Sequence, residues 1–270
     1  MSPTGPSSLA SLDGEVMLAS QATIPVTDEG LIRGDGVFEV MRLYDGVPYA
    51  FEEHIVRMER SAARLRLPLD SDAVRADAHR LLQRAGAGSD HELLRIIVTR
   101  GGRRLLLTEP MAEVPERVRL ASITYSPTRV LDGIKSLSYA ANMLATRLAR
   151  EQGFDDALLV TPHGRVLEAP TSSIFWVSGG GLSTPPLSEH ILASITRALI
   201  IEVSGAQERV CTLEELYEAD EVFLASTTRE VRSVSALDDR SFDGPTPVSD
   251  RVADAAGARI RAQLAAAGSI

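Results

Sequence analysis

The chain has 270 residues, of which 44% are hydrophobic, a formal net charge of −9 and one cysteine, Cys211. This length accommodates one large or two modest domains with a sizeable core. The negative charge and the lack of a basic run disfavour a nucleic-acid partner or an anionic membrane surface. One cysteine allows no internal disulfide, and the five histidines lack metal-ligand spacing, so we expect a metal-free cytoplasmic protein acting on small molecules. No segment approaches the roughly 18 apolar residues of a membrane span.

The first half of the chain predicts an N-terminal α/β domain over residues 1–114. Residues 1–12, which open with MSPTGPSS, are interpreted as a loose tail. The dipeptide Asp45-Gly46 between two apolar runs predicts a hairpin. The predicted elements that follow are strands over 37–44, 47–51 and 93–99 and helices over 52–67 and 72–85. Prolines and acids over 107–118 are typical of a linker.

Sheet dominates the predicted C-terminal domain, residues 119–270. A capping box beginning at Thr212 predicts one short helix. The other predicted elements are strands over 119–125, 134–139, 156–161, 165–168, 173–177 and 221–225 and helices over 140–152, 195–203 and 250–267. The predicted fold class is therefore a two-domain α/β protein.

Lys135 is the only lysine among 28 cationic side chains. A guanidinium stays protonated, whereas an amine can lose its proton and attack a carbonyl carbon. A genome biased against lysine codons is an alternative explanation for the count. The surviving lysine lies on a predicted strand in GIKSL, rather than on a solvated helix face, which favours a functional amine.

Other polar groups are suited to a cofactor that works with an amine. Glu168, at a strand end, is either a solvated carboxylate or the acid that keeps a pyridine nitrogen protonated in pyridoxal chemistry. The helix start Ser194-Ile195-Thr196 offers amides and hydroxyls to a phosphate, although an ordinary Ser/Thr cap also explains it. The tract Ser226-Thr227-Thr228 adds hydroxyls. Arg57, on a helix face away from the apolar stripe, adds a fixed positive charge.

Seven segments, in this order, resemble the pyridoxal-phosphate enzymes of fold type IV. They are GDGVFEV, EEHIVRMERSA, VTRG, IKSLSYAANMLA, VLEAPTSSIFWV, ILASITR and ADEVFLASTTREV, and the similarity extends from about residue 14 to residue 234. The family includes D-amino acid transaminases, branched-chain aminotransferases and aminodeoxychorismate lyases. The resemblance implies the two-domain fold of that class, pyridoxal 5'-phosphate as cofactor, and a homodimer with its active site at the subunit interface.

The resemblance also implies roles for individual residues. Lys135 is implied to form the Schiff base with the cofactor, Glu168 to pair with the pyridine nitrogen, and Arg57 to bind the phosphate. The other implied cofactor contacts are Leu192, which packs on the ring, and the phosphate contacts Ile195, Thr196 and Thr227.

The tract from Ser226 to Val231 is most similar to D-amino acid transaminases. The implied reaction exchanges an amino group between a D-amino acid and an α-keto acid such as 2-oxoglutarate or pyruvate. Because the usual Arg-x-His carboxylate trap is absent, (R)-amines are further expected donors. The residues expected on the substrate side are Leu31, where D-specific members usually have tyrosine, Thr228, and one of Arg33, Arg103 and Arg104 as the carboxylate ligand. A solvated surface arginine is the alternative for each of these three.

Other functions stay open within the same family. One is a lyase that converts 4-amino-4-deoxychorismate to 4-aminobenzoate and pyruvate with the same lysine. Another is a branched-chain L-amino acid aminotransferase. A catalytically silent binding protein would require a degraded cofactor site, and the presence of Lys135 and Glu168 argues against it.

Overall fold

A computed structural model describes residues 8–86 and 92–267. The chain divides into two compact units, of which unit 1 comprises Met1–Glu113 and Ile134–Tyr139 and unit 2 comprises Val114–Gly133 and Ala140–Ile270. The segment Ile134–Tyr139, expected as a strand of the C-terminal domain, belongs to unit 1 and forms only an isolated bridge, between Ser136 and Val37. None of the described helices is both long and apolar enough to cross a membrane.

The described part of unit 1 contains a six-stranded sheet of antiparallel neighbours, in the order β2-β1-β6-β5-β3-β4. The strands are β1 (Leu9–Leu12), β2 (Glu15–Leu18), β3 (Gly36–Tyr44), β4 (Val47–Pro48), β5 (Leu93–Thr99) and β6 (Arg104–Glu109). The helices are α1 (Glu29–Arg33), α2 (Phe51–Leu65) and α3 (Ser71–Ala85).

The core of unit 1 forms where α2 and α3 cover one face of this sheet. Successive residues of a strand point to opposite faces, so alternate positions of β3, such as Val37 and Met41, meet Ile55 and Met58 of α2. Each of these four side chains is almost fully buried. Glu39 lies between Val37 and Met41 on the same face, which places a carboxyl group within an apolar layer.

Unit 2 is built on an eight-stranded sheet within its described residues, in the order β11-β10-β9-β12-β13-β7-β8 with β14 beside β13. The strands are β7 (Val118–Thr124), β8 (Asp156–Val160), β9 (Ser173–Ser178), β10 (Gly181–Thr184), β11 (Gln207–Glu208), β12 (Glu221–Ser226), β13 (Glu230–Leu237) and β14 (Arg240–Ser241). The helices are α4 (Ala140–Glu151), α5 (Ile195–Ser204), α6 (Leu213–Tyr217) and α7 (Pro247–Ala267). Because β7 and β8 are parallel, their connection must cross over, and α4 lies in that connection.

The expectation of a loose tail over residues 1–12 is wrong for Leu9–Leu12, which pair with both β2 and β6 and bury Ala10 completely. Residues 1–7 lie outside the described residues. The linker expected over 107–118 begins too early, since Leu107 pairs with Arg95 as part of β6. Both segments alternate between residues that face the core and residues that do not, so they pair in the sheet although polar residues flank them.

Three predicted boundaries also differ from the structure. The second hairpin strand ends at Pro48, because α2 begins at Phe51. The predicted strand over 165–168 forms only isolated bridges, from Arg165 to Thr212 and from Val166 to Val160. Helix α7 begins at Pro247 rather than Asp250, since the Glu221 carboxylate accepts hydrogen bonds from the first amides of the helix.

Candidate active site

The main chain around Lys135 is attached to two elements of unit 1. The Lys135 carbonyl accepts a hydrogen bond from the Phe38 amide of β3 at 3.2 Å, and the Leu137 amide donates to the Gly36 carbonyl at 2.9 Å. On the other side, the Lys135 amide donates to Ser61 Oγ of α2 at 3.2 Å. These bonds fix the point from which the lysine side chain starts.

Gly36 makes this close approach sterically possible. A Cβ atom at this position would lie 2.6 Å from Leu137 Cδ1 and 2.5 Å from the Val98 carbonyl oxygen. Neither distance is compatible with a normal van der Waals contact, and the second involves main chain of β5 that cannot easily shift. Gly36, the second glycine of the GDG segment, is therefore required by its packing against the lysine segment.

Two aromatic rings line the amine of Lys135. Its Nζ lies 4.4 Å from the ring centroid of Phe38 and 5.7 Å from that of Tyr139. The two rings meet edge to face with their centroids 5.2 Å apart. An ammonium group over a ring face is attracted by the π electrons, so the rings hold the charged form of the side chain in place. Lys135 itself is half-buried.

A buried ionic cluster of unit 1 contains the predicted phosphate ligand Arg57. Its Nε lies 2.8 Å from Glu39 Oε1 and its Nη2 lies 2.6 Å from Glu39 Oε2. The second oxygen also bonds His54 Nδ1 at 2.7 Å. The side chains of Glu39 and His54 are fully buried and that of Arg57 is 8% exposed. The paired hydrogen bonds hold the guanidinium plane in one orientation.

The cluster stays charged over a wide pH range. Burial by itself would raise the pKa of the Glu39 carboxyl group, but the hydrogen bonds and charge of Arg57, with His54, lower that pKa to about 2. Burial lowers the pKa of His54, and Arg57 and Lys135 lower it further, against the raising effect of Glu39. At neutral pH the cluster therefore pairs one carboxylate with one guanidinium beside a neutral imidazole.

Glu168 lies in unit 2, where the main chain of the loop before α5 binds it. The Leu192 amide donates to both carboxylate oxygens of Glu168, at 3.2 and 3.4 Å. Burial, and then the Glu168 carboxylate, raise the pKa of the Tyr125 phenol. Glu168 is half-buried, so its carboxylate is oriented by protein and still accessible. Leu192, expected to pack on a ring, thus also contributes its amide to the acid.

Hydroxyl groups and a helix start converge elsewhere in unit 2. Helix α5 begins at Ile195, and its cap Ser194 accepts a hydrogen bond from the Arg197 amide at 3.2 Å. Thr196 Oγ1 lies 3.5 Å from Thr227 Oγ1 in the turn after β12. Amides at a helix start carry partial positive charge and bind anions. The donor set therefore fits a phosphate ester, with Ile195 contributing through its amide.

Two further hydroxyls of unit 2 strengthen this fit. Ser172 Oγ and Ser173 Oγ are buried and have no hydrogen-bond partner within residues 8–86 and 92–267. Both side chains follow Glu168 by a few residues, and Ser173 pairs with Ala225 near the end of β12. Since buried hydroxyls are almost always bonded, these two have capacity for a polar ligand or for water.

The proposed substrate arginines each contact a different carboxylate of unit 1. Arg33, with a side chain that is 70% exposed, lies 2.7 Å from Glu29. The other two pairs are Arg103 with Asp13 at 2.6 Å and Arg104 with Asp77 at 2.8 Å. Leu31 is 60% exposed on the surface of α1. Thr228 Oγ1 lies 3.5 Å from Ser226 Oγ.

Sequence reasoning did not assign roles to Glu39 or His54. The signal for Glu39 was an acid on the buried face of an otherwise apolar strand, between Val37 and Met41. The signal for His54 was its spacing from Arg57, because residues three apart share one face of a helix. That face was expected to point away from the apolar stripe, and it is nonetheless buried, since it packs on the Glu39 carboxylate.

Comparison with known proteins gives a consistent set of similarities. The sequence model of the class IV amino-transferases matches residues 36–237. The D-alanine aminotransferase of Listeria innocua is 34% identical over 245 residues, which cover 81% of this chain and 84% of that protein. A bifunctional aminodeoxychorismate lyase / D-amino acid transaminase of Mycobacterium tuberculosis is 30% identical over 285 aligned positions, covering 93% of this chain and 98% of that protein.

Solved structures share the fold. The PLP-bound form of a hypothetical aminotransferase from Mycobacterium tuberculosis superposes with a TM-score of 0.87 at 26% identity, covering 95% of this chain and 99% of that one. A branched-chain aminotransferase from Thermoproteus uzoniensis, solved with norvaline, superposes with a TM-score of 0.82 at 26% identity, covering 92% of this chain and 93% of that one.

Proposed function

We propose that this chain, which belongs to the class IV aminotransferases, transfers an amino group from a D-amino acid to an α-keto acid such as 2-oxoglutarate or pyruvate. Enzymes of this class use pyridoxal 5'-phosphate. The observation that carries the choice of substrate is the similarity to a D-alanine aminotransferase and to a bifunctional D-amino acid transaminase, over 81% and 93% of the chain. (R)-amines are proposed as additional donors.

Each residue proposed to hold the cofactor has a separate role. Lys135 would bind it covalently through Nζ, and Glu168 would hold its ring nitrogen. Arg57 would bind the phosphate through its guanidinium. The remaining proposed cofactor residues are Leu192, Ile195, Thr196 and Thr227. Once bound, pyridoxal 5'-phosphate supplies an electron sink for the electron pair left at the substrate α-carbon.

Lys135 is proposed to move the proton. In its neutral form Nζ would take up the proton of the substrate α-carbon and would give the same proton back within the site before the new keto acid leaves, so that the amine ends the transfer neutral. The hydrogen bonds at both sides of the Lys135 main chain fix the point from which the side chain starts, which favours transfer to one face. The Phe38 and Tyr139 rings stabilise the ammonium formed when Nζ takes up this proton, and they exclude water from one side of it.

Two alternative reactions have specific support. The relative from Mycobacterium tuberculosis is named as both a lyase and a transaminase, which supports 4-amino-4-deoxychorismate as a second substrate. The similarity to the branched-chain enzyme solved with norvaline supports an L-amino acid donor. Both alternatives use the same lysine as proton carrier, so the substrate rather than the cofactor separates them.

A donor panel tests the proposed function. Purified protein is incubated with pyridoxal 5'-phosphate and 2-oxoglutarate, and amino transfer is measured from D-alanine, L-leucine and (R)-1-phenylethylamine in parallel. Formation of 4-aminobenzoate from aminodeoxychorismate is measured in the same preparation. We expect D-alanine to have the highest kcat/KM. A higher value for L-leucine, or faster lyase turnover, would replace the proposal by the corresponding alternative.

The substrate carboxylate is proposed to bind one of Arg33, Arg103 and Arg104. Arg33 is the most exposed of the three and its partner Glu29 lies on the same short helix, so its guanidinium can reorient at little cost. We expect Arg33→Ala to raise KM for D-alanine about tenfold, as loss of one charged hydrogen bond to a ligand implies. A triple alanine variant with an unchanged KM would exclude all three arginines.

A homodimer is proposed as the working form. Support comes from exposed apolar side chains in unit 1, where Val26, Leu31 and Ile32 are 79%, 60% and 56% exposed. Light scattering on the holoenzyme tests the mass, and a monomer at working concentration contradicts the proposal. A cytoplasmic location, inferred from the single cysteine, stays a prediction.

A further inference from the structure

The side-chain hydrogen bonds of Ser226 at the base of the turn that carries Thr227 and Thr228 are long. The turn connects β12, which ends at Ser226, with β13, which begins at Glu230. The Arg229 amide donates to Ser226 Oγ at 3.3 Å, and Ser226 Oγ and Thr228 Oγ1 are 3.5 Å apart. Glu230 has a positive φ of 52°, which a residue with a side chain adopts rarely. These features leave the shape of the turn to be decided by contacts outside it.

A buried ion pair supplies such a contact. Arg229 Nη2 lies 2.5 Å from Asp156 Oδ2, and the two side chains are 16% and 2% exposed. Asp156 Oδ1 accepts hydrogen bonds from Thr146 Oγ1 of α4 at 2.8 Å and from the Ala157 amide at 2.9 Å. The turn is thereby connected through one carboxylate to β8 and α4.

The burial of this pair argues against a contribution to stability alone. Removing two charges from water costs nearly as much as their attraction returns, so a buried ion pair is a poor source of stability and a good means of fixing geometry. Unit 2 has a neighbouring pair for comparison. Arg119 Nη2 lies 3.0 Å from Asp155 Oδ1, and those side chains are 51% and 26% exposed.

We propose that Arg229 and Asp156 are positioning residues that hold the turn after β12 in the shape in which Thr227 binds the phosphate of the cofactor. This inference rests on the proposed cofactor site. Arg229 is assigned to positioning because its guanidinium contacts Asp156 and its amide contacts Ser226 at the base of the turn. The fork-shaped guanidinium of Arg229 reaches Asp156 while the main-chain amide of Arg229 stays bonded to Ser226. One residue thus makes both attachments.

The test compares two ligands that differ only in the phosphate. Dissociation constants of full-length apo-protein are measured for pyridoxal 5'-phosphate and for pyridoxal, and the pyridoxal value divided by the pyridoxal 5'-phosphate value reports the contribution of the phosphate. We expect Arg229→Gln and Asp156→Asn each to reduce this ratio at least tenfold. The control Arg119→Gln, which breaks the exposed pair, is expected to change the ratio by less than twofold.

The outcomes separate this inference from its premise. If both ligands weaken by the same factor in folded Arg229→Gln and Asp156→Asn, the pair is merely structural and the inference is wrong. Should Arg229→Gln not fold, as judged by circular dichroism, Asp156→Asn decides, because an amide of equal size can retain the bond to Thr146. A wild-type protein that binds neither ligand overturns the proposed function itself.

Discussion

Units 1 and 2 hold their polar groups in place by different means. Unit 1 uses charged side chains in a buried network, in which Glu39 binds Arg57 and His54 next to the Lys135 segment. Unit 2 uses main-chain amides and hydroxyls, such as the Leu192 amide on Glu168 and the Thr196–Thr227 pair. The first arrangement depends on side-chain charge and the second on main-chain conformation.

This difference predicts different responses to substitution. Removing one charge from a buried network destabilises the fold, because the remaining charge stays out of water without a partner. A set of amides and hydroxyls tolerates the loss of one member better, since each contributes a modest hydrogen bond. Substitutions in unit 1 should therefore affect folding as well as activity, and those in unit 2 mainly binding and rate.

The largest effect is expected for Lys135→Arg. The variant keeps a positive charge near the Phe38 ring but has no group that can lose its proton at neutral pH. We expect the rate of amino transfer from D-alanine to fall by roughly 1,000-fold or more, within the range for loss of a general acid–base group. Single-turnover kinetics measure this rate.

Arg150→Lys serves as the control for Lys135→Arg, because it introduces an amine on the exposed surface of α4. Its rate should equal that of the wild type. A Lys135→Arg variant with more than a tenth of wild-type activity would show that the proton is carried by another group.

Glu39→Gln should lower the free energy of unfolding by about 3 kcal/mol at pH 7. The pKa of Glu39 is about 2 in the fold and 4.5 in the reference state, so its carboxylate stabilises the fold fully above pH 4.5. That contribution is lost as the pH falls towards 2. The difference between wild type and variant should accordingly shrink between these values, as measured by urea unfolding at pH 7 and pH 3.

The matched control is Glu52→Gln, since Glu52 also pairs with an arginine, Arg75, but its side chain is 61% exposed. Loss of an exposed pair should change stability by less than about 1 kcal/mol. A Glu39 effect that stays constant from pH 7 to pH 3 would indicate a packing defect rather than a lost charge.

A smaller effect is expected for Glu168→Gln in unit 2. The amide can still accept a hydrogen bond from the Leu192 amide, but it has no negative charge to hold a proton on a ring nitrogen. We expect kcat to fall about 100-fold, the lower end for acid–base groups, with little change in stability. A fall in the unfolding free energy as large as the rise in the activation free energy would contradict the contrast between the units.

Local patterns in the sequence predicted much of the fold. The strand Leu93–Thr99 has the predicted bounds, since an apolar run between turn residues leaves little freedom. The capping box at Thr212 forms as predicted, because both of its hydrogen bonds lie within four residues. Leu9–Leu12 could not be identified as a strand, since its partners, β2 and especially β6, are supplied by tertiary pairing.

The candidate site divides in the same way. The single lysine, the acid at Glu168 and the order of the motifs follow from residue chemistry and could be predicted from the sequence. The partners of these groups could not, because Glu39, Ser61 and Phe38 reach Arg57 and Lys135 across large separations in the chain. Chain folding decides which charges share a buried volume, and the low polarity of that volume decides how strongly they interact.

The sequence by itself thus determined the family of this protein and the side chains from which its cofactor site is predicted. Only the tertiary structure decided how those side chains are held in place. It assigned the Lys135 segment to unit 1, paired Arg57 with a carboxylate in the core, and joined Arg229 to Asp156. The physical reason is that reactivity belongs to a side chain, whereas its position and charge depend on neighbours that are distant in sequence.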